Sequence, residues 1–447
     1  MKRLIVLFLF VSATLSAQYS INGTMSPMED YKWILLYKIE GSKQVFIKNT
    51  QVKKDGEKGV FKLSLPADSE IGFYRIKYSM KKNEFIDFLF NKENIDFEFN
   101  PKNGENSIVF NTSEENKIYT SFKEKIFNAQ YTLDSIQSEY FRNPTSKIKE
   151  KYRNSLKSIQ KIEAKYTQDS QKKIVHHFIK ASLRYNTPEI TENPVKYINN
   201  TLSHFFDNID FSNSVLYNSS FLFDKVSEYV FSLNYAADPN QKQEVYKKAV
   251  QVVIEKIKPI SFKADIINYL ISKFAETKNA VLVDYIFANY FEKLPQQYQN
   301  LEFKNKILAQ LRVAIGRIAP DFSWTEKGKN LSLSELKDGL SYLIIFYSTE
   351  CSHCLREVPK VYEFMKGMNN TKVIAFAMET SEKTWINYQF TMPRWHHVLG
   401  LKKWQNTTAR TYLVNSTPTY FLLGMDKKII SIPENIDELK MLLKELN

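Results

Sequence analysis

Phe346-Tyr347-Ser348-Thr349-Glu350-Cys351-Ser352-His353-Cys354 decides how the C-terminal part of this chain reads. It leaves an apolar run, Tyr342 to Tyr347, with the length and composition of a strand buried on both faces of a largely parallel sheet. Beyond it Leu355, Val358, Tyr362 and Met365 space out a helix. A helix beginning near Ser352 puts Cys351 where unpaired backbone N–H groups and the positive end of the helix dipole stabilise an anion. The thiolate is the attacking species in disulfide exchange, so Cys351 is the expected nucleophile, and Cys354, one turn deeper, the resolving thiol. His353, cationic at mildly acid pH, is expected to stabilise the thiolate, favouring the reduced dithiol and making the disulfide a stronger oxidant. Glu350 opposes it with a negative charge beside the sulfur.

These are the chain's two cysteines, and they stand three residues apart. A chain that met an oxidising compartment and wanted staples would spread its cysteines; this spacing points to a purposeful dithiol.

Working outward, a second apolar run, Lys372 to Met378, reads as another buried strand. Tyr420–Leu423 and Lys428–Ser431 read as a hairpin around Gly424-Met425-Asp426-Lys427, and Ile436 to Leu446 closes as a helix. The order is strand, helix, strand, helix, two antiparallel strands, helix.

Upstream, from Thr112 to about Val313, the period is helical: Ile118, Phe122, Ile126, Ala129, Leu133, Ile136 and Tyr140 recur at spacings of four and three, and Ile148 to Tyr166 repeats the habit. Further helices are predicted near 222–233, 245–257, 264–274, 281–291 and 303–313, with breaks at Pro144, Pro188, Pro194 and Pro259. Earlier still, 33–39, 45–52, 60–65, 72–78, 85–90 and 95–99 read as short strands, several alternating apolar and polar residues, and predict an antiparallel sandwich. The adjacent pairs His176-His177 and His396-His397 would point their rings apart on a helix or strand, which reads as surface rather than metal.

The first residues, Met1-Lys2-Arg3, then apolar Leu4 to Val11, then small residues to Ser16-Ala17, have the layout of a cleavable secretory signal. The apolar run falls short of the ~20 residues a spanning helix needs, and no cysteine follows it to carry a lipid anchor. No transmembrane segment is expected after cleavage near Ala17, and the location expected is the periplasm or cell envelope. Formal charge is +13, or +11 once Lys2 and Arg3 leave with the signal. Lysines and glutamates are interleaved along the chain, which speaks for solvated faces and against nucleic acid. The reading is multidomain: signal peptide 1–17, N-terminal β-sandwich 18–111, α-helical middle segment 112–312, and a C-terminal α/β domain 313–447.

At this point residues 313 to 447 resemble the TlpA/ResA-like thiol-disulfide oxidoreductases, with their thioredoxin-like fold. The features that carry the resemblance are Ala319-Pro320-Asp321-Phe322, the strand ending in Phe346-Tyr347, the Cys351–Cys354 dithiol, Glu357 and Pro359, and Ser416-Thr417-Pro418-Thr419 before an apolar strand. The resemblance implies that Pro418 is cis and faces the cysteines, that the backbone of Thr417 pairs with a substrate peptide, and that Glu357 sits beside the dithiol and helps move protons. The plain alternative for Glu357 is an exposed helix glutamate. The resemblance also implies a Cys351–Cys354 disulfide in the oxidised state, no cofactor, exported protein substrates with cysteines, and a reducing role fed by a membrane-bound thiol electron donor. The chain departs from the pattern at Glu350, where tryptophan is usual, and at Ser352-His353, where Gly-Pro is usual, so its redox poise does not follow.

Three other readings stand beside this one. A zinc site on Cys351 and Cys354 with His353 or His396-His397 lacks a second close ligand pair. A peroxiredoxin-like thiol peroxidase would place Pro and Thr or Ser at 344 and 348, where this chain has Ile344 and Ser348. The third makes the sandwich and helices a partner-binding module with an accessory redox domain.

Overall fold

The computed structural model describes residues 18–28, 31–80, 82–234, 236 and 238–446. The signal peptide expected over 1–17 lies outside the described residues. The chain divides between Lys263 and Ala264 into two compact units.

The first unit begins with strands β1 (Gln18–Met25), β2 (Trp33–Glu40), β3 (Lys43–Gln51), β4 (Lys53–Asp55), β5 (Lys58–Pro66), β6 (Gly72–Ser79), β7 (Glu84–Phe90), β8 (Ile95–Phe99) and β9 (Val109–Phe110). They form two sheets, ordered β4-β5-β1-β8-β9 and β3-β2-β6-β7. Alternation works as expected for a half-buried strand: every second residue of β6 is buried. Ile21, Leu63, Tyr74, Ile76, Phe88 and Phe97 belong to the core. Gly23 on β1 is required by close packing, since a Cβ there would fall 2.0 Å from the Phe61 ring. The sandwich departs from the expected antiparallel arrangement in one place, because β1 pairs with β8 in parallel. No hairpin joins those two strands, so nothing local fixes their mutual direction.

Helices follow: α1 (Glu114–Arg142), α2 (Ser146–Asp169), α3 (Val175–Ser182), α4 (Pro194–Ser203), α5 (Ser214–Tyr217), α6 (Phe221–Ser227), running on through a π-helical turn at Glu228–Leu233, and α7 (Pro239–Lys256). The predicted stripe is the packed face: Leu133 and Tyr140 of α1 meet Ile148, Tyr152 and Ile159 of α2 in one cluster. Ser113 and Thr145 cap these helices by accepting the N–H of Asn116 and Ile148. Pro194 opens a helix instead of breaking one, as the first helical position allows.

Helix α8 (Ile260–Glu276) leads into the second unit, with α9 (Ala280–Asn289) and α10 (Leu301–Gln310). Next come the hairpin β10 (Ser323–Glu326) and β11 (Lys329–Ser332), then β12 (Ser341–Tyr347), α11 (Ser352–Met365), β13 (Thr371–Glu379), α12 (Lys383–Tyr388), β14 (His396–Leu401), α13 (Thr407–Thr411), β15 (Thr419–Gly424), β16 (Ile429–Ser431) and α14 (Ile436–Leu446). The main sheet is ordered β14-β13-β12-β15-β16. β13 runs parallel to β12 and β14, while β15 is antiparallel to β12. β14 is an extra strand beyond the expected order, hidden by its polar start at His396-His397. Among the described residues no helix is long and apolar enough to cross a membrane.

Every residue of β12 is buried, because both faces of this central strand are covered. The period of two divides it between two cores. Tyr342, Ile344 and Phe346 face one cluster, whereas Leu343, Ile345 and Tyr347 face the other, which holds Cys354, Val358, Val361 and Met365 of α11. Leu355, expected on the buried stripe, is 42% exposed; Cys354 takes the buried position beside it.

Candidate active site

The redox loop is the short passage from the end of β12 into α11. Cys351 is the N-cap residue, with φ −98° and ψ 108°, and its sulfur accepts the N–H of Cys354 at 3.1 Å. That is the bond a capping oxygen would normally accept, so the sulfur is held at the orphan donors of the first turn. The Cys354 thiol points back at Cys351 Sγ at 2.6 Å, and both residues are free thiols.

The two sulfurs titrate in opposite directions. Burial works against a thiolate at Cys351, but hydrogen bonds from the Cys354 thiol and amide, from Thr417 and from the His353 amide outweigh it and hold the pKa below the ordinary thiol value. The Thr417 carbonyl, 3.6 Å from Cys351 Sγ, opposes them, because a carbonyl accepts only from the thiol form. Cys354 is fully buried, and burial, followed by its donation to Cys351, pushes its pKa up to about 11. One sulfur is therefore prepared to attack while the other keeps its proton.

The remaining sequence-predicted residues fall around this pair as follows. The Thr417–Pro418 bond is cis, and Thr417 is the residue whose carbonyl reaches Cys351. His353 is exposed, and its contribution to Cys351 comes from its backbone N–H. Glu357 is half-buried and accepts a hydrogen bond from Lys360 Nζ at 2.9 Å, which holds its carboxyl below the usual range. Tyr420 shares the buried cluster of Cys354, and burial raises its pKa, with the charges of Glu357 and Cys354 adding to the rise. Glu350 does not stand as a bare charge beside the thiolate: Lys403 Nζ and Thr380 Oγ1 each donate to it at 2.6 Å. Lys403 in turn holds its proton more tightly, chiefly through Glu350 and also through Cys351.

His396 lies between Glu326 and Asp338, at 2.9 and 3.2 Å, and His397 bonds the Met392 carbonyl at 2.9 Å. His176 and His177 bond Ser170 and Asn213 in the first unit.

Two further residues of the site escaped sequence reasoning. Lys403 is separated from Glu350 by 53 residues, with no local signal to pair them. Glu379 is fully buried at the end of β13. The parallel register sets Tyr347 beside Ala377, which brings Glu379 alongside Thr349. Its carboxylate accepts the Thr349 N–H at 2.5 Å and the Ser348 hydroxyl at 3.3 Å. The Ser348 carbonyl in turn accepts the Cys351 N–H at 3.2 Å, and the Ser348 N–H favours the Cys354 thiolate. Glu379 thus anchors the loop that carries both sulfurs. A lone carboxylate closing an apolar run was the available signal.

This fold and dithiol define a thioredoxin-like domain, and residues 339–429 match the family model described as Thioredoxin-like. The domain is similar to thiol-disulfide oxidoreductase ResA of Bacillus thuringiensis (strain Al Hakam) and of Bacillus anthracis. Each is 29% identical over 126 residues, 27% of this chain and 69% of the relative. Among solved structures, a thiol-disulfide oxidoreductase from Bacteroides fragilis NCTC 9343 shares 24% identity over 29% of this chain and 100% of that one, with a TM-score of 0.27. A thioredoxin-like protein from Bacteroides caccae shares 15% identity over 59% of this chain and 98% of that one, with a TM-score of 0.31.

Proposed function

We propose that this protein is an exported thiol-disulfide oxidoreductase that reduces disulfides in proteins of the periplasm or cell envelope. The observation that carries the reading is the pair of free thiols, Cys351 at the start of α11 and Cys354 2.6 Å from it, with opposed proton affinities. The Cys351 thiolate attacks one sulfur of a client disulfide, forming a mixed disulfide and releasing the other client sulfur, which takes up a proton. Cys354 then gives up its proton and attacks Cys351 Sγ, closing the Cys351–Cys354 disulfide and releasing the second client thiol. The client gains two electrons and the protein loses two, to be restored by a membrane-bound thiol donor. Glu357, a carboxylate one helical turn beyond Cys354, is the group that helps move the proton released by Cys354. Thr417, whose carbonyl reaches Cys351, and Pro418 after it present the client strand, and no cofactor is needed.

The test is substrate trapping. Cys354→Ala leaves Cys351 able to attack but removes the resolving thiol, so mixed disulfides to envelope proteins should accumulate and vanish on addition of dithiothreitol. Absence of any disulfide-linked client, with Cys351 shown reactive to alkylation, would overturn the reading. The equilibrium of the Cys351–Cys354 pair against glutathione sets direction: a potential near those of strong oxidants would remove the reductase role.

A further inference from the structure

The stretch from Lys383 to Met425 contains no aspartate or glutamate, yet it carries Arg394, Lys402, Lys403 and Arg410. It also carries the proline loop that borders the attacking sulfur. Beside that loop lies an open groove of about 680 Å³, lined among others by Arg312, Trp404, Thr407, Arg410, Leu413 and Asn415. No carboxylate lines it. Arg312 uses only Nε, which donates to the Ala309 carbonyl at 2.9 Å, and among the described residues neither guanidinium is paired with an acid.

Two apolar side chains stand open on the same wall, Trp404 at 47% exposure and Leu413 at 39%. Leu413 also holds a φ of +54°, a left-handed conformation that a leucine seldom adopts and that needs support from its surroundings. The groove ends close in sequence to the loop that borders the reaction centre. Asn415 is two residues from Thr417, whose carbonyl lies 3.6 Å from Cys351 Sγ, so the groove opens on the order of 10 Å from the attacking atom.

We propose that this groove binds an acidic segment of the client chain next to the cysteine under attack, a specificity that rests on the disulfide-exchange reading above. Client carboxylates meet the unpaired forks of Arg312 and Arg410, a geometry suited to bidentate bonding, while an apolar client residue covers Trp404 and Leu413. Two guanidiniums in a groove near the proline loop, that of Arg410 in the stretch stripped of acids, draw negatively charged clients toward Cys351 before any covalent step.

The experiment uses the whole chain in its reduced form and three disulfides. Two are synthetic peptides with the same internal disulfide, one flanked by glutamates and the other by glutamines at the same positions; the third is neutral hydroxyethyl disulfide. At low salt the glutamate peptide is expected to be reduced about tenfold faster than its glutamine twin, and the ratio should fall toward one at about 0.5 M salt. The double variant Arg312→Gln/Arg410→Gln should lose the preference while reducing hydroxyethyl disulfide at the parent rate. Arg410→Lys, which keeps the charge without the fork, should retain part of it. Reduction of all three disulfides at rates blind to peptide charge, or a preference that survives the double substitution, overturns the proposal alone. Failure to reduce any of the three removes the exchange reading and this proposal with it.

Discussion

The two units share a device and then diverge in their use of charge. Each has a strand glycine beneath a phenylalanine ring of the neighbouring strand, Gly23 under Phe61 and Gly400 under Phe376, where a Cβ would fall 2.0 and 2.2 Å from the ring. In the sandwich, half-buried charge is matched across strands. Arg75 and Asp87 stand directly opposite on β6 and β7, bonded twice at 2.7 and 2.6 Å, with the guanidinium 3.6 Å over the Phe85 ring. In the α/β unit, charge gathers where strands end: Glu379 closes β13, Glu350 precedes the helix, and Lys403 reaches across to it. Matched charge inside a sheet serves the fold. Charge at strand ends, where backbone donors are unpaired, has a sulfur to act on.

The largest effect that separates the two comes from the sulfur itself. Cys351→Ser should lower reduction of hydroxyethyl disulfide by about a thousandfold or more while leaving thermal unfolding close to the parent's. Phe97→Ala should do the reverse: a loss of about 3–5 kcal/mol from the sandwich core, read in denaturant unfolding, with unchanged exchange per folded molecule. Exchange lost in the second variant, or kept in the first, would dissolve the distinction.

Breaking matched charge should cost less. Asp87→Ala leaves the Arg75 guanidinium without its fork partner and is expected to destabilise by about 2 kcal/mol, with the pH profile of exchange unmoved. A shifted profile would mean the sandwich charges reach the reaction after all.

The dithiol makes its own pH signature. The folded pKa of Cys351 is depressed, so its thiolate contributes stability above the unfolded thiol value of about 8.5, lost as pH falls through the folded value. The folded pKa of Cys354 is raised to about 11. Its protonated form contributes stability fully present below about 8.5 and lost as pH rises toward the folded value. Reduced protein should therefore lose stability relative to the oxidised form between pH 9 and about 11, since neither sulfur titrates once joined. Parallel curves for the two redox states would contradict the assignment. Alkylation followed by mass mapping should label Cys351 well below pH 8.5 and spare Cys354.

The smallest effect concerns Lys403. Its bond to Glu350 is partly exposed, so Lys403→Gln, by releasing the carboxylate beside Cys351, should raise that cysteine's pKa by less than about one unit. A rise of several units would make Lys403 the dominant electrostatic element of the site.

The α/β domain was legible because its strands are continuous apolar runs, as in Tyr342–Tyr347, and its helix start is written in a stretch of nine residues. The sandwich was legible in alternation but not in direction, as the parallel pairing of β1 and β8 shows. β14 went unread because His396-His397 masks its start, and Leu355 was placed inward because spacing alone does not say which of two neighbouring stripes a sheet covers. The effect assigned to Glu350 changed most: its charge is real, but Lys403 and Thr380 hold it.

By itself the sequence determined the dithiol and its polarity, because a cap and the residue three further on belong to one helical turn, and that geometry is local. Only the tertiary structure decided what surrounds the sulfurs: the Thr417 carbonyl, the Glu379 anchor under Thr349, the Lys403 bridge and the basic groove beside the proline loop. The first three of those contacts join residues 30 to 66 positions apart. Strand register and the direction of packed side chains set them, and neither is encoded in the periodicity of any single segment.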